Sequence, residues 1–214
     1  MKKFGKLSVR AVLLLAVLQS SFAAQWTVEG FLGTAWSLPT PLSIHQVGEE
    51  RIYLTARYST KPLKESPYYA WRIAKWRGSR AWEIELVHHK IYLNNPPDVV
   101  QHFEISHGYN LITINRSWPW RGFICRVGAG MVVTHPETTI RGKRLPWSKG
   151  LDGFYISGPT AQFGLQKKFS VWGGLFAVLE GKFTASYAVA PVQDGNAYVP
   201  NVALHALFGL GYRL

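Results

Sequence analysis

Val202-Ala-Leu-His-Ala-Leu-Phe-Gly-Leu-Gly-Tyr-Arg-Leu214 closes the chain. In steps of two, one face reads Val202, Leu204, Ala206, Phe208, Leu210, Tyr212 and Leu214. The other reads Ala203, His205, Leu207, Gly209, Gly211 and Arg213. Strict alternation over such a length is the period of a strand, not of a helix. A strand crossing a bilayer needs about 9–11 residues, apolar towards lipid and small or polar towards the lumen. The stretch fits that description better than it fits the edge strand of a soluble sandwich. Ending the chain on such a strand, with an aromatic two residues from the terminus, resembles the insertion signal of bacterial outer-membrane barrels.

The opposite end agrees. Lys2, Lys3, Lys6 and Arg10 precede a short apolar run from Ala11 to Leu18, and Ser21-Phe-Ala23 offers small residues at the −3 and −1 positions. Residues 1–23 therefore read as a cleaved secretory signal peptide, and residues 24–214 as one domain. The apolar run is far short of the roughly 20 residues a spanning helix requires. Export without a spanning helix, joined to a lipid-facing terminal strand, points to the bacterial outer membrane. Aromatic residues make up 14% of the chain and glycines number 20, which suits interfacial aromatic girdles. Charged residues are 17%, against about 25% in ordinary soluble domains. The single cysteine, Cys125, excludes an intramolecular disulfide framework. The net charge of +12 falls to about +8 without the four positive residues of the signal, biasing the mature chain towards anionic partners. Export excludes nucleic acid from these.

The alternation recurs upstream. Residues 25–38 place Trp26, Val28, Leu32 and Trp36 on one face, before Pro39-Thr-Pro41. Residues 42–67 read as a long extracellular loop carrying a hairpin. In 68–76, Tyr69, Trp71 and Ile73 face out and Arg72 faces in, and Arg77-Gly-Ser-Arg80 makes a tight turn. In 81–93, Trp82, Ile84 and Leu86 face out while Glu83, Glu85, Val87 and His89 face in. The next segment, 102–118, conflicts with itself: Glu104, Ser106 and Asn110 share one parity, Thr113 and Asn115 the other. A bulge near Gly108 would reconcile them. Residues 123–134, 155–169 and 172–187 continue the pattern, with a basic loop from Arg141 to Lys149 and a last loop at 191–200. The expected fold is all-β: an eight-stranded antiparallel transmembrane outer-membrane β-barrel, both termini periplasmic, with four longer loops outside. Eight strands enclose a lumen that side chains fill, so a general porin is disfavoured. A monomer is expected.

Inward-facing Glu29, Arg72, Glu83, Glu85, Arg126, Glu180 and Lys182 would share that narrow lumen. Buried charges need partners, so a salt-bridged network is expected whatever the protein does. The histidines carry more information. His88, His89, His102, His107, His135 and His205 all fall near the extracellular ends of their strands. Imidazole titrates near neutrality and ligates metals, so such a cluster suits acid–base work or a metal site. No close-spaced ligand signature accompanies it: a divalent metal is a candidate cofactor with no defined ligand set. His88 and His135 have outward parity, and a belt of interfacial polar residues is the plainer account of them. Ser106 and His107 are adjacent, and so face opposite ways unless the bulge intervenes. The catalytic candidates are His107, His135, Glu137, Glu180, Lys182 and His89, expected together in the upper half of the barrel, with Arg126 and Arg213 nearer the periplasm. The loops carry Arg51, Arg57 and Lys149 besides Arg141, Lys143, Arg144, Lys61 and Lys64. On the outer face of a Gram-negative cell such groups meet lipopolysaccharide phosphates, and the last five form the candidate phosphate-binding set.

Trp82-Glu-Ile-Glu-Leu-Val-His-His-Lys90, His107-Gly-Tyr-Asn-Leu-Ile-Thr-Ile-Asn115 and Val127-Gly-Ala-Gly-Met-Val-Val-Thr-His-Pro-Glu137 resemble outer-membrane barrels of the rhizobial lipid A oxidase type. Gly158-Pro159, Glu180-Gly-Lys182 and Pro67-Tyr-Tyr69 with Arg72 extend the resemblance over most of the mature chain. It implies oxidation of the proximal glucosamine of lipid A to an aminogluconate, with oxygen as oxidant, and lipid A and outer-membrane lipid as partners. It assigns no catalytic residues; the histidine cluster with Glu137 and Glu180 comes from the reading above. Lipid A deacylases resemble a His-Ser pair on a late strand, and residues 172–187 hold no histidine. The alternative is a non-enzymatic structural or ligand-binding barrel on the same scaffold, since fold does not fix function.

Overall fold

The computed structural model describes residues 24–64, 66–146 and 150–214. The signal segment and Lys149 lie outside them. Thirteen strands form a single antiparallel sheet: β1 (Gln25–Ser37), β2 (Thr40–Gln46), β3 (Ile52–Ala56), β4 (Tyr58–Ser59), β5 (Tyr69–Arg77), β6 (Arg80–Leu93), β7 (Val100–Trp120), β8 (Phe123–Thr134), β9 (Glu137–Ile140), β10 (Lys143–Arg144), β11 (Tyr155–Trp172), β12 (Leu175–Val192) and β13 (Gly195–Arg213). A short 3₁₀ turn, Gly150–Gly153, precedes β11.

Eight of these strands pair in a closed circuit. β1 pairs with β5, β5 with β6, β6 with β7, and β7 with β8. β8 pairs with β11, β11 with β12, β12 with β13, and β13 returns to β1. The remaining strands extend one rim of this ring. β2 lies on the start of β13 and carries β3 as a hairpin, while β9 lies on the start of β7 and carries β10. At the opposite rim the connections are tight: Gly78, Gly122 and Gly173 all take positive φ there. The first and last ring strands both end at that rim, where Thr27 stands opposite Arg213.

Side chains alternate across the wall as the sequence requires. On β12 every second residue is buried, and between them Leu179, Phe183 and Tyr187 are exposed. Leu32, Ile84, Ile114, Phe208 and Leu210 are likewise exposed, from four strands of the ring. An outer face of large apolar side chains encloses an inner face of charges, the inverse of a soluble protein.

The inner charges make one network. Arg72, fully buried on β5, donates to Glu29 of β1 at 2.8 Å, Glu85 of β6 at 2.7 Å and Glu180 of β12 at 2.7 Å. Arg126 of β8 reaches Glu83 at 2.8 Å and the same Glu180 at 2.6 Å. Lys168 bonds Glu29 at 2.6 Å, and Lys182 pairs with Glu85 and, at 3.4 Å, with Glu180. Gln162, Gln166 and Asn115 take up further bonds to these groups. Glu29, Glu83, Glu85 and Glu180 thus balance Arg72, Arg126, Lys168 and Lys182 one for one. The expected network is present, and beside it the interior holds a buried apolar cluster that includes Val87, Tyr109, Leu111, Val132 and Val199.

Two sequence expectations are corrected here. Residues 191–200 are not a loop. Buried Ala188, Ala190 and Val192 continue β12, and the chain reverses at Gln193 and Asp194 before β13 begins at Gly195. The prolines are tolerated because Pro191 and Pro200 stand near the extended rim, where β12 and β13 run beyond the apolar band. The basic segment at 141–144 is a hairpin tip, with Arg141 and Gly142 both at positive φ between β9 and β10. The hairpin within 42–67 is present as β2–β3.

Candidate functional site

β7 does bulge near Gly108, but by two residues rather than one, so the facing is unchanged across it. Ile105 stays inward like Tyr109 and Leu111, while Glu104 and Asn110 face out, and the expected reconciliation with Thr113 and Asn115 is corrected. Between Ile105 and Tyr109 the strand advances four residues while β6, from His89 to Ile91, advances two. Gly108 sits in this bulge at φ 135°, a conformation that side chains rarely adopt. Its carbonyl accepts a bond from the His135 amide at 3.0 Å, joining the bulge to the β8–β9 junction. Without the extra residues His107 would share the inward parity of Tyr109 and Leu111. With them it turns to the outer side of the wall.

There it meets residues from three neighbouring strands. A cleft of about 620 Å³ is lined by Ser66, Tyr69, Leu86, His88, His107, Asn110, Ile112, Val133, His135 and Phe154. Leu86, Ile112 and Val133 have outward parity on β6, β7 and β8, so the cleft floor is continuous with the apolar outer face. The polar groups are gathered along its rim side. His88 and Asn110 stand directly opposite one another, with Nδ1 and Oδ1 2.8 Å apart. The ring of Tyr69 stacks on His88 at 4.8 Å between centroids. His107 Nδ1 lies 2.6 Å from Glu137 Oε1, an ion-pair contact whose geometry is not that of a hydrogen bond. His135 packs between His107, 5.5 Å away, and Phe154, 4.9 Å away. Gly153 closes against the His135 ring so tightly that a Cβ there would collide with it. Burial and the facing His107 push the His135 imidazole below its ordinary range, with Glu137 opposing them.

Ser106 is tied to the same constellation without serving as a nucleophile. Its hydroxyl donates to Glu104 Oε1 at 2.7 Å, and its 3.3 Å contact with His107 falls on Nδ1, the nitrogen that Glu137 already holds. A serine attacking an ester needs the imidazole nitrogen opposite the carboxylate. His107 Nε2 is the ring nitrogen away from Glu137.

No family model matches the chain, and no curated protein matches it. Among solved structures it is similar to the outer membrane protein AlkL determined in lipid bilayers, at 10% identity over 90% of this chain and 91% of that one, with a TM-score of 0.49. Against the outer membrane protein OprG of Pseudomonas aeruginosa the figures are 12%, 90%, 97% and 0.44. Against Ail, the attachment invasion locus protein of Yersinia pestis, they are 8%, 89%, 97% and 0.39.

The six catalytic candidates occupy three places. His107, His135 and Glu137 come together at the cleft. Glu180 and Lys182 pair with each other as their shared parity implied, but inside the ring and within the charge network. His89 is also inside, its Nε2 3.2 Å from Asn201 and its ring 5.2 Å from that of His205. His205 in turn bonds Tyr68 at 2.6 Å and Thr184 at 2.8 Å. The expectation of one common cavity is therefore corrected: the wall separates inward His89, Glu180 and Lys182 from outward His107 and His135. Of the candidate phosphate ligands, Arg141 donates to Gln46 at 2.9 Å and to the Glu50 carbonyl at 2.7 Å, while Lys143 lies 3.5 Å from Asp194. Lys61 and Lys64 lie over the Tyr92 ring. Arg144 lines a second, smaller pocket beside Glu137. Tyr69, His88 and Asn110 were absent from the candidates, although a polar residue of outward parity at the end of an apolar strand was a usable signal.

Proposed function

We propose that the chain is a bacterial outer-membrane protein whose ring of eight strands spans the bilayer as a barrel and whose lateral cleft acts on the head of lipid A. The exposed apolar outer face supports the membrane reading, as do the tight turns at one rim and the hairpin extensions at the other. In this reading the tight rim and both ends of the mature chain are periplasmic. An arginine at mid-depth on the lipid face then costs about 2–4 kcal/mol. Leu179→Arg should lower the unfolding free energy by that amount in urea titrations of the folded protein in lipid. A loss within error of zero would place Leu179 outside the bilayer.

The observation that carries the function is the direction in which the cleft opens. The interior charges are paired and buried beside an apolar cluster, so this reading does not bring a substrate to the histidines through the ring. The cleft opens sideways, through the apolar wall, at the level where the hairpin extensions begin. Leu86, Ile112 and Val133 suit the acyl end of a lipid, and His88, Asn110, His107 and Glu137 suit its sugar. The reaction the sequence resemblance implies is oxidation of the proximal glucosamine to an aminogluconate. Two electrons and two protons leave the hemiacetal carbon and its hydroxyl, molecular oxygen takes them up as hydrogen peroxide, and water opens the lactone to the acid. His107, oriented by Glu137, is the group placed to take the hydroxyl proton.

The test is the mass of lipid A from cells expressing the mature chain. A species heavier by one oxygen atom is expected in cells whose lipid A carries a free hydroxyl at the anomeric carbon of the proximal sugar. An unchanged spectrum, with the protein abundant and running faster on a gel unheated than boiled, would overturn the enzymatic reading in favour of a binding barrel.

A further inference from the structure

Behind Glu137, on the side away from the cleft, β7 and β9 bring a second constellation together. Glu104 and Glu137 stand directly opposite each other in the ladder, and His102 lies two residues from Glu104 on the same face. One potential ligand atom from each of His102, Glu104 and Glu137 lies within 4.8 Å of the others. His102 Nε2 and Glu104 Oε2 are 3.5 Å apart. Two carboxylates directly opposite in a strand pair repel each other unless a proton or a cation joins them. Among the described residues no ion pair links either one to Arg144, which lines the adjoining pocket.

The outer oxygens of both carboxylates are already held. Ser106 donates to Glu104 Oε1 at 2.7 Å and His107 Nδ1 lies 2.6 Å from Glu137 Oε1. Partners of this kind fix the orientation of a ligating carboxylate and free its other oxygen for a metal. The adjoining pocket, about 280 Å³, is lined by His102, Glu137, Thr138, Thr139, Arg144 and Leu145, which leaves room for a ligand beside the three donors.

We infer that His102, Glu104 and Glu137 bind a divalent first-row transition ion, with an open coordination position facing Arg144. One imidazole with two carboxylates favours zinc, manganese, iron(II) or cobalt over copper(I), which prefers sulfur, and over magnesium, which prefers oxygen alone. Tetrahedral donors about 2.0–2.1 Å from zinc stand roughly 3.3 Å from one another. The His102–Glu104 separation is already near that figure. The half-exposed His102 ring is free to close the rest. The open position and the Arg144 guanidinium together suit a phosphate oxygen or a sugar hydroxyl. Binding of the ion stands on this geometry alone, whereas its part in lipid A chemistry rests on the function proposed above.

Isothermal titration of the refolded, metal-stripped barrel with zinc, and with manganese followed by electron paramagnetic resonance, tests the site. About one equivalent per chain is expected. His102→Ala and Glu104→Gln should each weaken binding at least tenfold, and Ser106→Ala by a smaller factor, with heat-modifiable migration retained. His45→Ala, a histidine on β2 outside the cluster, should leave it unchanged. Absence of stoichiometric binding, or binding indifferent to both His102→Ala and Glu104→Gln, would overturn the inference. Binding that follows these variants in a protein leaving lipid A unaltered would uphold the metal site and refute the lipid A reading.

Discussion

His107→Ala is expected to cut lipid A modification by about 10²–10⁴-fold, the usual contribution of a positioned acid–base group. Glu137→Gln should come close to the same loss. It preserves the shape of the side chain but removes the charge that orients the imidazole 2.6 Å away. His88→Ala should cost less, because His88 borders the cleft through Asn110 and Tyr69 and lies away from the carboxylate. Rates are read from the ratio of modified to unmodified lipid A at matched expression, with unheated migration confirming a folded barrel. Folded His107→Ala protein that modifies lipid A at the original rate would remove His107 from the reaction.

The second large effect is on stability. Arg72→Met should lower unfolding free energy by roughly 3–5 kcal/mol, because it leaves buried carboxylates without their shared partner. Arg72 is fully buried and holds Glu29, Glu85 and Glu180, each within 2.8 Å. Adding Glu180→Gln to that variant should recover part of the loss, since the two groups belong to one network and their effects are not additive. Tryptophan fluorescence during urea titration in lipid would measure both. A midpoint that Arg72→Met leaves unmoved would mean that the network does not hold the ring together.

Why the fold was legible from so little follows from its surroundings. A ring strand between an apolar exterior and a charged interior must alternate residue by residue. The stretch Leu204 to Tyr212 therefore declares both its faces, as Trp82 to Leu86 does. The bulge was placed near Gly108 for the wrong reason: it adds two residues and keeps parity, so Glu104 faces out and Thr113 in, as an unbroken strand would also have it. The site was harder to read. Histidines at 102, 107 and 135 were visible as a cluster by strand direction. That Glu137 would turn back to His107, and that Glu104 would face Glu137, depend on β9 folding over β7. A four-residue strand carries too little periodicity to announce such a pairing. Glu180 and Lys182 were grouped with the histidines although their inward parity already set them across the wall from His107 and His135.

The charge network also bears on how the chain assembles. Arg72 and Glu180 are separated by 108 positions along the sequence and belong to β5 and β12, which are not neighbours in the ring. Glu29 on β1 receives Lys168 from β11, 139 positions away. No hairpin, and no half of the ring, can satisfy these groups by itself. Partly closed chains would therefore carry unpaired charges that must stay hydrated, and water can leave the interior once β13 has met β1. Closure of the ring and drying of its interior are thus a single late event. The transition between open, wet chains and the sealed protein should be all-or-none, and the terminal strand completes it.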